Sequence, residues 1–147
     1  MNLYFSLLKL RARLFEGRKL SRKDINRRMA LQRRAQLPDT RMVGITGSGA
    51  KSTTSALLFH LLSDQHPAAL SMLENTEEMI AWRLAKFPPG ARFGVFEISG
   101  HAPGVIASAC ELVQPDIGII TVIASDHRST FRDQQSTAQE KGRLATD

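Results

Sequence analysis

"RMVGITGSGAKSTTSALLFHLL", residues 41–62, constrains the fold more than any other stretch of the chain. A β-favouring run leads into Gly47, Ser48 and Gly49, after which Leu57, Leu58, Leu61 and Leu62 recur at helical spacing. Strand, glycine turn and helix in that order aim the unpaired first N–H groups of the helix, and the positive end of its dipole, at whatever the turn encloses. An anion is the natural guest. The stretch follows the phosphate-loop pattern G-x-x-x-x-G-K-[ST] except at Ala50, which stands where glycine is expected before Lys51. Gly47, Ser48, Gly49, Ala50, Lys51, Ser52 and Thr53 are therefore the candidate cradle, with the lysine for phosphate and the hydroxyls at the helix start for phosphate and magnesium.

The rest of the chain repeats the alternation. "EEMIAWRLAKF" reads as a helix, Pro88-Pro89-Gly90 as a turn, and "ARFGVFEIS" as a strand with Glu97 near its end. "APGVIASACELVQ" reads as a second helix, stopped at Pro115-Asp116. The nearly continuous apolar run "IGIITVIAS" then predicts a strand buried on both faces, ending at Asp126-His127. "STAQEKGRLATD" is polar and then helical, and carries Lys141, which on periodicity alone would be a solvated lysine. Strands alternating with helices imply an α/β fold with a parallel sheet, whose ligands gather at the carboxyl ends of the strands. That places the glycine turn, Glu97 and His127 at one edge of the sheet.

Charge divides the chain unevenly. Residues 1–42 carry 12 Lys/Arg against Glu16, Asp24 and Asp39, whereas the remainder is net acidic, although the whole chain is +6. Residues 1–40 thus form a basic arm ahead of the domain expected at 41–147. Leu3, Leu7, Leu10 and Leu14 give the arm one apolar helical stripe flanked by Lys9, Arg11 and Arg13. Three roles are open to it: a helical extension packed on the domain or a partner, a contact with an anionic membrane surface, and nucleic acid, which has only the charge in its favour. The apolar run is too short to span a bilayer and lacks a small-residue cleavage site. Cys110 is the single cysteine and so cannot form an internal disulfide, which fits a cytoplasmic protein, peripheral to the membrane if the arm binds there.

Taken together, these motifs resemble the Mur ligases, ATP-dependent enzymes that form amide bonds. The family's loop G-I-T-G-T-N-G-K-T-T-T is matched position by position by "GITGSGAKSTT". Its E-V-S-S-H-A is matched by "EISGHA" from Glu97 to Ala102, its strand ending in Asp-His by "TVIASDH", and its later lysine by Lys141, 14 positions after His127. The resemblance covers about residues 41–145 and leaves the arm unexplained. It implies a central ATP-binding domain of the phosphate-loop type, in which Lys51 holds the β and γ phosphates and backbone N–H groups of residues 47–52 surround them. Ser52 and Glu97 would ligate magnesium, and His127 a second magnesium. Lys141 would be carbamylated and help to place that second metal, which requires a neutral amine and hence some burial.

The reaction so implied is phosphoryl transfer from ATP to a substrate carboxylate, followed by attack of an amine on the acyl phosphate, as in cell-wall or polyamide biosynthesis. ATP, a carboxylate acceptor and an amino acid would be the partners. The family's central domain is longer and is followed by a domain that delivers the amine, so the expectation here is a partial central domain, completed by a partner chain. Two other classes stay open: a nucleotide-binding remnant or regulatory module without turnover, and a phosphate-loop phosphotransferase, against which the Glu97, Asp126-His127 and Lys141 series argues. The sequence also departs from the family. Gly49 replaces an asparagine and offers the loop a place to shift the unusual dihedral that Ala50 would otherwise adopt; Gly100 replaces a serine and Val122 an asparagine.

Overall fold

The computed structural model describes residues 6, 7, 10, 20–73, 76–124, 130, 131 and 133–146. In chain order these form α1 (Arg22–Ala35), β1 (Arg41–Thr46), α2 (Lys51–Ser63), β2 (Ala68–Ser71), α3 (Glu77–Ala85), β3 (Phe93–Glu97), α4 (Val105–Val113), β4 (Ile117–Ile120) and α5 (Gln134–Gly142), with a 3-10 turn at Arg143–Ala145. The four strands make one sheet in the order β2-β3-β1-β4, every pairing parallel. This is the expected α/β class, and it aims the carboxyl ends of all four strands the same way.

Alternation along β1 and β3 separates two cores. Met42 and Phe96 face a layer that includes Ile80 and Leu84 of α3 with Ile106, Leu112 and Val113 of α4. Val43, Ile45 and Val95 face the other side, where Leu58, Phe59 and Leu62 of α2 cover them. Leu57 and Leu61, expected in the same apolar stripe, point outward at 58% and 61% exposure. β2 escaped the sequence reading because "AALS" is short and its alanines carry little strand signal.

β4 corrects an expectation. The apolar run that contains it was expected to be buried on both faces, but β4 is four residues long, lies at the sheet edge, and leaves Ile117 50% exposed. The exposure follows from strand order, which puts β4 at the end of the described sheet with β1 as its one strand neighbour, and the shortness from register: β1 ends at Thr46 opposite Ile120, so residues 121–124 have no strand to pair with. Asp116 fixes this register at the other end, its carboxylate accepting from Met42 N at 2.8 Å and from Arg41 Nη1 at 2.9 Å.

Of the basic arm, residues 22–35 are helix packed on α3 and α4. Ser21 and Asp24 close a capping box at the start of α1. Ile25 and Ala30 are fully buried. The arginines serve as caps for neighbouring helices: Arg33 Nε donates to Phe87 O at 2.8 Å, beyond the end of α3, and Arg34 Nε to Val113 O at 2.9 Å, the last residue of α4. Val113 O is one of the carbonyls that a helix C-terminus leaves unpaired, while Phe87 O lies in the turn that follows α3. Leu3 and Leu14 of the expected stripe lie outside the described residues, and Leu7 and Leu10 are exposed. Among the described residues no helix is long and apolar enough to cross a membrane.

α1 is tied to α3 by ion pairs. Lys23 Nζ lies 3.0 Å and Arg27 Nη1 2.9 Å from the Glu77 carboxylate, and Arg27 also pairs with Glu111. Burial pushes the Glu77 carboxyl up, but hydrogen bonds from Lys23, Ser108 and Arg27 outweigh it and hold the group below its ordinary range. A depressed folded value means that the stabilisation is complete above the unfolded pKa of about 4.3 and is lost as pH falls through the folded value. Urea midpoints measured from pH 7 downward should therefore decline below about pH 5, and Glu77→Gln should make that decline shallower. An equally steep decline in the variant would contradict the assignment.

Candidate functional site

β1 delivers the chain to the glycine turn at the carboxyl edge of the sheet. Gly47 takes φ +151°, and a Cβ there would sit 1.9 Å from Thr121 Oγ1, so no other residue fits without displacing that threonine. The segment after β4 is sewn onto the loop. Thr121 N donates to Thr46 O at 3.0 Å, Thr121 Oγ1 to Gly49 O at 2.6 Å, and Ser48 N to Val122 O at 2.8 Å. Ser48 Oγ exchanges hydrogen bonds with the N–H and carbonyl of Ala124, each at 3.1 Å. Val122, where the family has asparagine, thus meets the loop through its backbone carbonyl and keeps its side chain 48% exposed.

Ala50 is the N-cap of α2 and adopts the left-handed conformation, φ 59° and ψ 7°. The expectation that Gly49 would absorb this dihedral is not met, since Gly49 is not among the positive-φ glycines. Ala50 instead bears the clash of its own Cβ, a cost of about 1–2 kcal/mol. The reason lies next door: Gly49 is fixed through its carbonyl by Thr121, and the turn still has to reverse before Lys51.

Four of the expected site residues come together in two pairs. Lys51 Nζ donates to Gly47 O at 3.0 Å, and Lys141 Nζ, from 94 residues away, donates to the same oxygen at 3.2 Å. Lys141 is 1% exposed, so it is a core residue and not the solvated one its helix periodicity suggests. Beside them, Ser52 Oγ donates to Glu97 Oε2 at 2.9 Å, and Leu73 N donates to the same carboxylate oxygen at 3.1 Å. Glu97 is 3% exposed. Thr53 is exposed at the start of α2, and Thr46 Oγ1 is buried with no hydrogen-bond partner among the described residues. His127, with Asp126, lies outside the described residues.

One residue of this region gives no signal in its own sequence neighbourhood. Glu140 is 4% exposed, and its carboxylate accepts from Gly104 N and Ile106 N, both at 2.9 Å. The available clue was negative: the N-cap of α4 is Gly104, which has no side chain to cap it.

A parallel sheet with a glycine turn opening a helix, and with lysines, a hydroxyl and a carboxylate gathered at the strand ends, defines an α/β domain of the phosphate-loop class. The chain belongs to the Mur ligase family, whose middle-domain model matches residues 45–147. It is 26% identical over 103 residues to the UDP-N-acetylmuramoyl-tripeptide--D-alanyl-D-alanine ligase of Borreliella burgdorferi, covering 69% of this chain and 22% of that protein. It is 32% identical over 97 residues to the UDP-N-acetylmuramate--L-alanine ligase of Ligilactobacillus salivarius, covering 66% and 19%. In fold it is similar to MurF from Acinetobacter baumannii, with a TM-score of 0.78 at 22% identity over 82% of this chain and 27% of that one. A MurF ligase from Thermotoga maritima in complex with ADP gives 0.73 at 24% identity, covering 81% and 29%. The chain spans about a fifth of the length of these curated relatives.

The strained alanine yields a stability prediction. Ala50→Gly should raise the unfolding free energy by about 1 kcal/mol in urea denaturation, the relief of the left-handed Cβ less the added freedom of the unfolded chain. Gly47→Ala should lower it by at least about 2 kcal/mol. Opposite signs would show that the loop does not hold this conformation.

Proposed function

We propose that this chain is the nucleotide-binding core of a Mur-type ligase, the part that takes MgATP and presents its terminal phosphoryl group to a carboxylate. The observation that carries the reading is the convergence of Lys51 and Lys141 on Gly47 O, beside the Ser52–Glu97 pair. The Lys51 ammonium resting on that carbonyl is placed to exchange it for phosphate oxygens at little cost in reorganisation, and Lys141 brings its amine to the same point, from which its carbamate would help to place the second metal. Helix α2 adds its first N–H groups and the positive end of its dipole.

In this reading the backbone of residues 47–52 cradles the phosphates and Lys51 neutralises the β and γ oxygens. A Ser52 hydroxyl and a nearly buried Glu97 carboxylate are hard oxygen donors of the kind magnesium takes together with phosphate, so the residues present fit that ion. When bound, magnesium supplies Lewis-acid neutralisation of the charge on the transferred group. His127 is assigned to a second magnesium, and Lys141, carbamylated by carbon dioxide with loss of a proton, to its placement. The chain's own work is then alignment and charge neutralisation, from which phosphoryl transfer to a carboxylate and amine attack on the acyl phosphate follow.

The reading places the chain in the cytoplasm and leaves the acceptor, the amino acid and their binding surfaces to further polypeptide. The exposed apolar residues Ile117 and Ile120 on the free edge at β4 support a partner there. Exposed Leu7 and Leu10, set among the basic residues of the arm, support contact with an anionic membrane surface.

Titration of a fluorescent ATP analogue into the purified chain with magnesium should show saturable binding, and Lys51→Ala should weaken it by at least about tenfold, near 1.4 kcal/mol. Glu97→Gln should remove most of the magnesium dependence. Amide formation by the chain alone is expected to be absent. Unchanged binding in folded Lys51→Ala would overturn the proposal.

A further inference from the structure

Helix α5 has an unusual anchor. Its buried residues are Thr137, Glu140 and Lys141, so not one apolar side chain within Gln134–Gly142 fixes how the helix is rotated. Buried apolar residues flank it, Phe131 before its start and Leu144 beyond its end. A helix seated by polar groups takes its orientation from their hydrogen bonds, and a buried carboxylate is tolerable only when those bonds are made.

Glu140 makes them at the start of α4. Gly104 caps that helix in the left-handed conformation, φ 83°, with no side-chain hydrogen bond of its own. The two carboxylate oxygens divide the exposed N–H groups: Oε2 takes Gly104 N and Oε1 takes Ile106 N, each at 2.9 Å. Negative charge at a helix N-terminus adds to the attraction, and Arg143 Nε stands 3.5 Å from Oε2 on the outer side. A Cβ at Gly100 would make an ordinary contact with Glu140 Cγ at 3.6 Å and press on Ile106 Cγ1 at 3.1 Å. A serine there, as in the family pattern, would therefore leave room for Glu140 and ask Ile106 to give way.

We propose that Glu140 is a positioning residue for Lys141, a two-point latch between α5 and the start of α4 that sets where the adjacent lysine reaches Gly47 O. The inference rests on reading Lys141 as part of the phosphate site, but the latch has its own readout. Fixing α5 at residue 140 fixes the departure point of the next side chain, whose four-carbon stem spans the remaining distance to the loop.

The test is ammonium-selective 1H–15N spectroscopy of the full chain, in buffer stripped of carbon dioxide, with the Lys141 signal assigned by its loss in Lys141→Met. A buried, hydrogen-bonded ammonium exchanges slowly and gives a resolved signal. That signal should vanish in Glu140→Ala, while Glu140→Gln, which keeps one acceptor, should retain it at a shifted position. Affinity for the ATP analogue should fall about fivefold or more in Glu140→Ala, with no further loss when Glu140→Ala is added to Lys141→Met. An unchanged Lys141 signal in folded Glu140→Ala overturns the proposal. If that variant does not fold, an unshifted signal in Glu140→Gln overturns it instead. A wild-type chain that binds no nucleotide, yet loses the Lys141 signal in Glu140→Ala, would remove the functional reading and leave the latch standing.

Discussion

Gly47 has to do without a side chain because Thr121 stands where a Cβ would go, and this close approach brings the loop after β1 and the segment after β4 into one hydrogen-bonded unit. Once they are joined, the carbonyl of Gly47 can face the interior, where its two lone pairs take one ammonium from α2 and another from α5. The left-handed turn at Ala50 is the cost of this geometry. It is borne by an alanine because the glycine beside it is already committed through its carbonyl. Neither the buried lysine nor the Ser52–Glu97 pair would have a fixed target if the loop were free to move.

The same device recurs at the helix ends. Arg33 and Arg34 of α1 close carbonyls beyond α3 and at the end of α4, and Glu140 closes the N–H groups at the start of α4. In each case a long charged side chain from a distant element pairs backbone groups at or just beyond a helix end. Much of the charge on α1 is therefore spent inside the domain. Its role there is to hold two helices against β1 and β3, the strands that carry Gly47 and Glu97 to the site.

Periodicity and punctuation made β1, the glycine turn, α2, α3 and α4 legible, because each has a strong local pattern and a turn residue at its boundary. Lys51 and Ser52 stood out in the glycine turn and helix start, while Glu97 and Lys141 were singled out by the resemblance of their motifs to the family. What escaped depends on partners remote in sequence. Exposure of β4 follows from strand order, which no single apolar run encodes. The left-handed state at Ala50 follows from Thr121, and the burial of Lys141 from a helix whose composition reads as solvated. Glu140 escaped for the same reason, since the N–H groups it satisfies lie more than thirty positions earlier. His127 was named from its motif and lies outside the described residues.

That two lysines far apart in sequence act at one point is tested most directly by a double-mutant cycle. Affinity for a magnesium-bound, non-hydrolysable ATP analogue would be measured in the wild-type chain, Lys51→Met, Lys141→Met and the double variant. Action on one magnesium triphosphate, Lys51 on its phosphates and Lys141 on the placement of its metal, predicts strongly non-additive losses, with a coupling of about 1 kcal/mol or more. Losses that simply add, to within about 0.5 kcal/mol, would mean that the two lysines serve separate sites and would contradict the account.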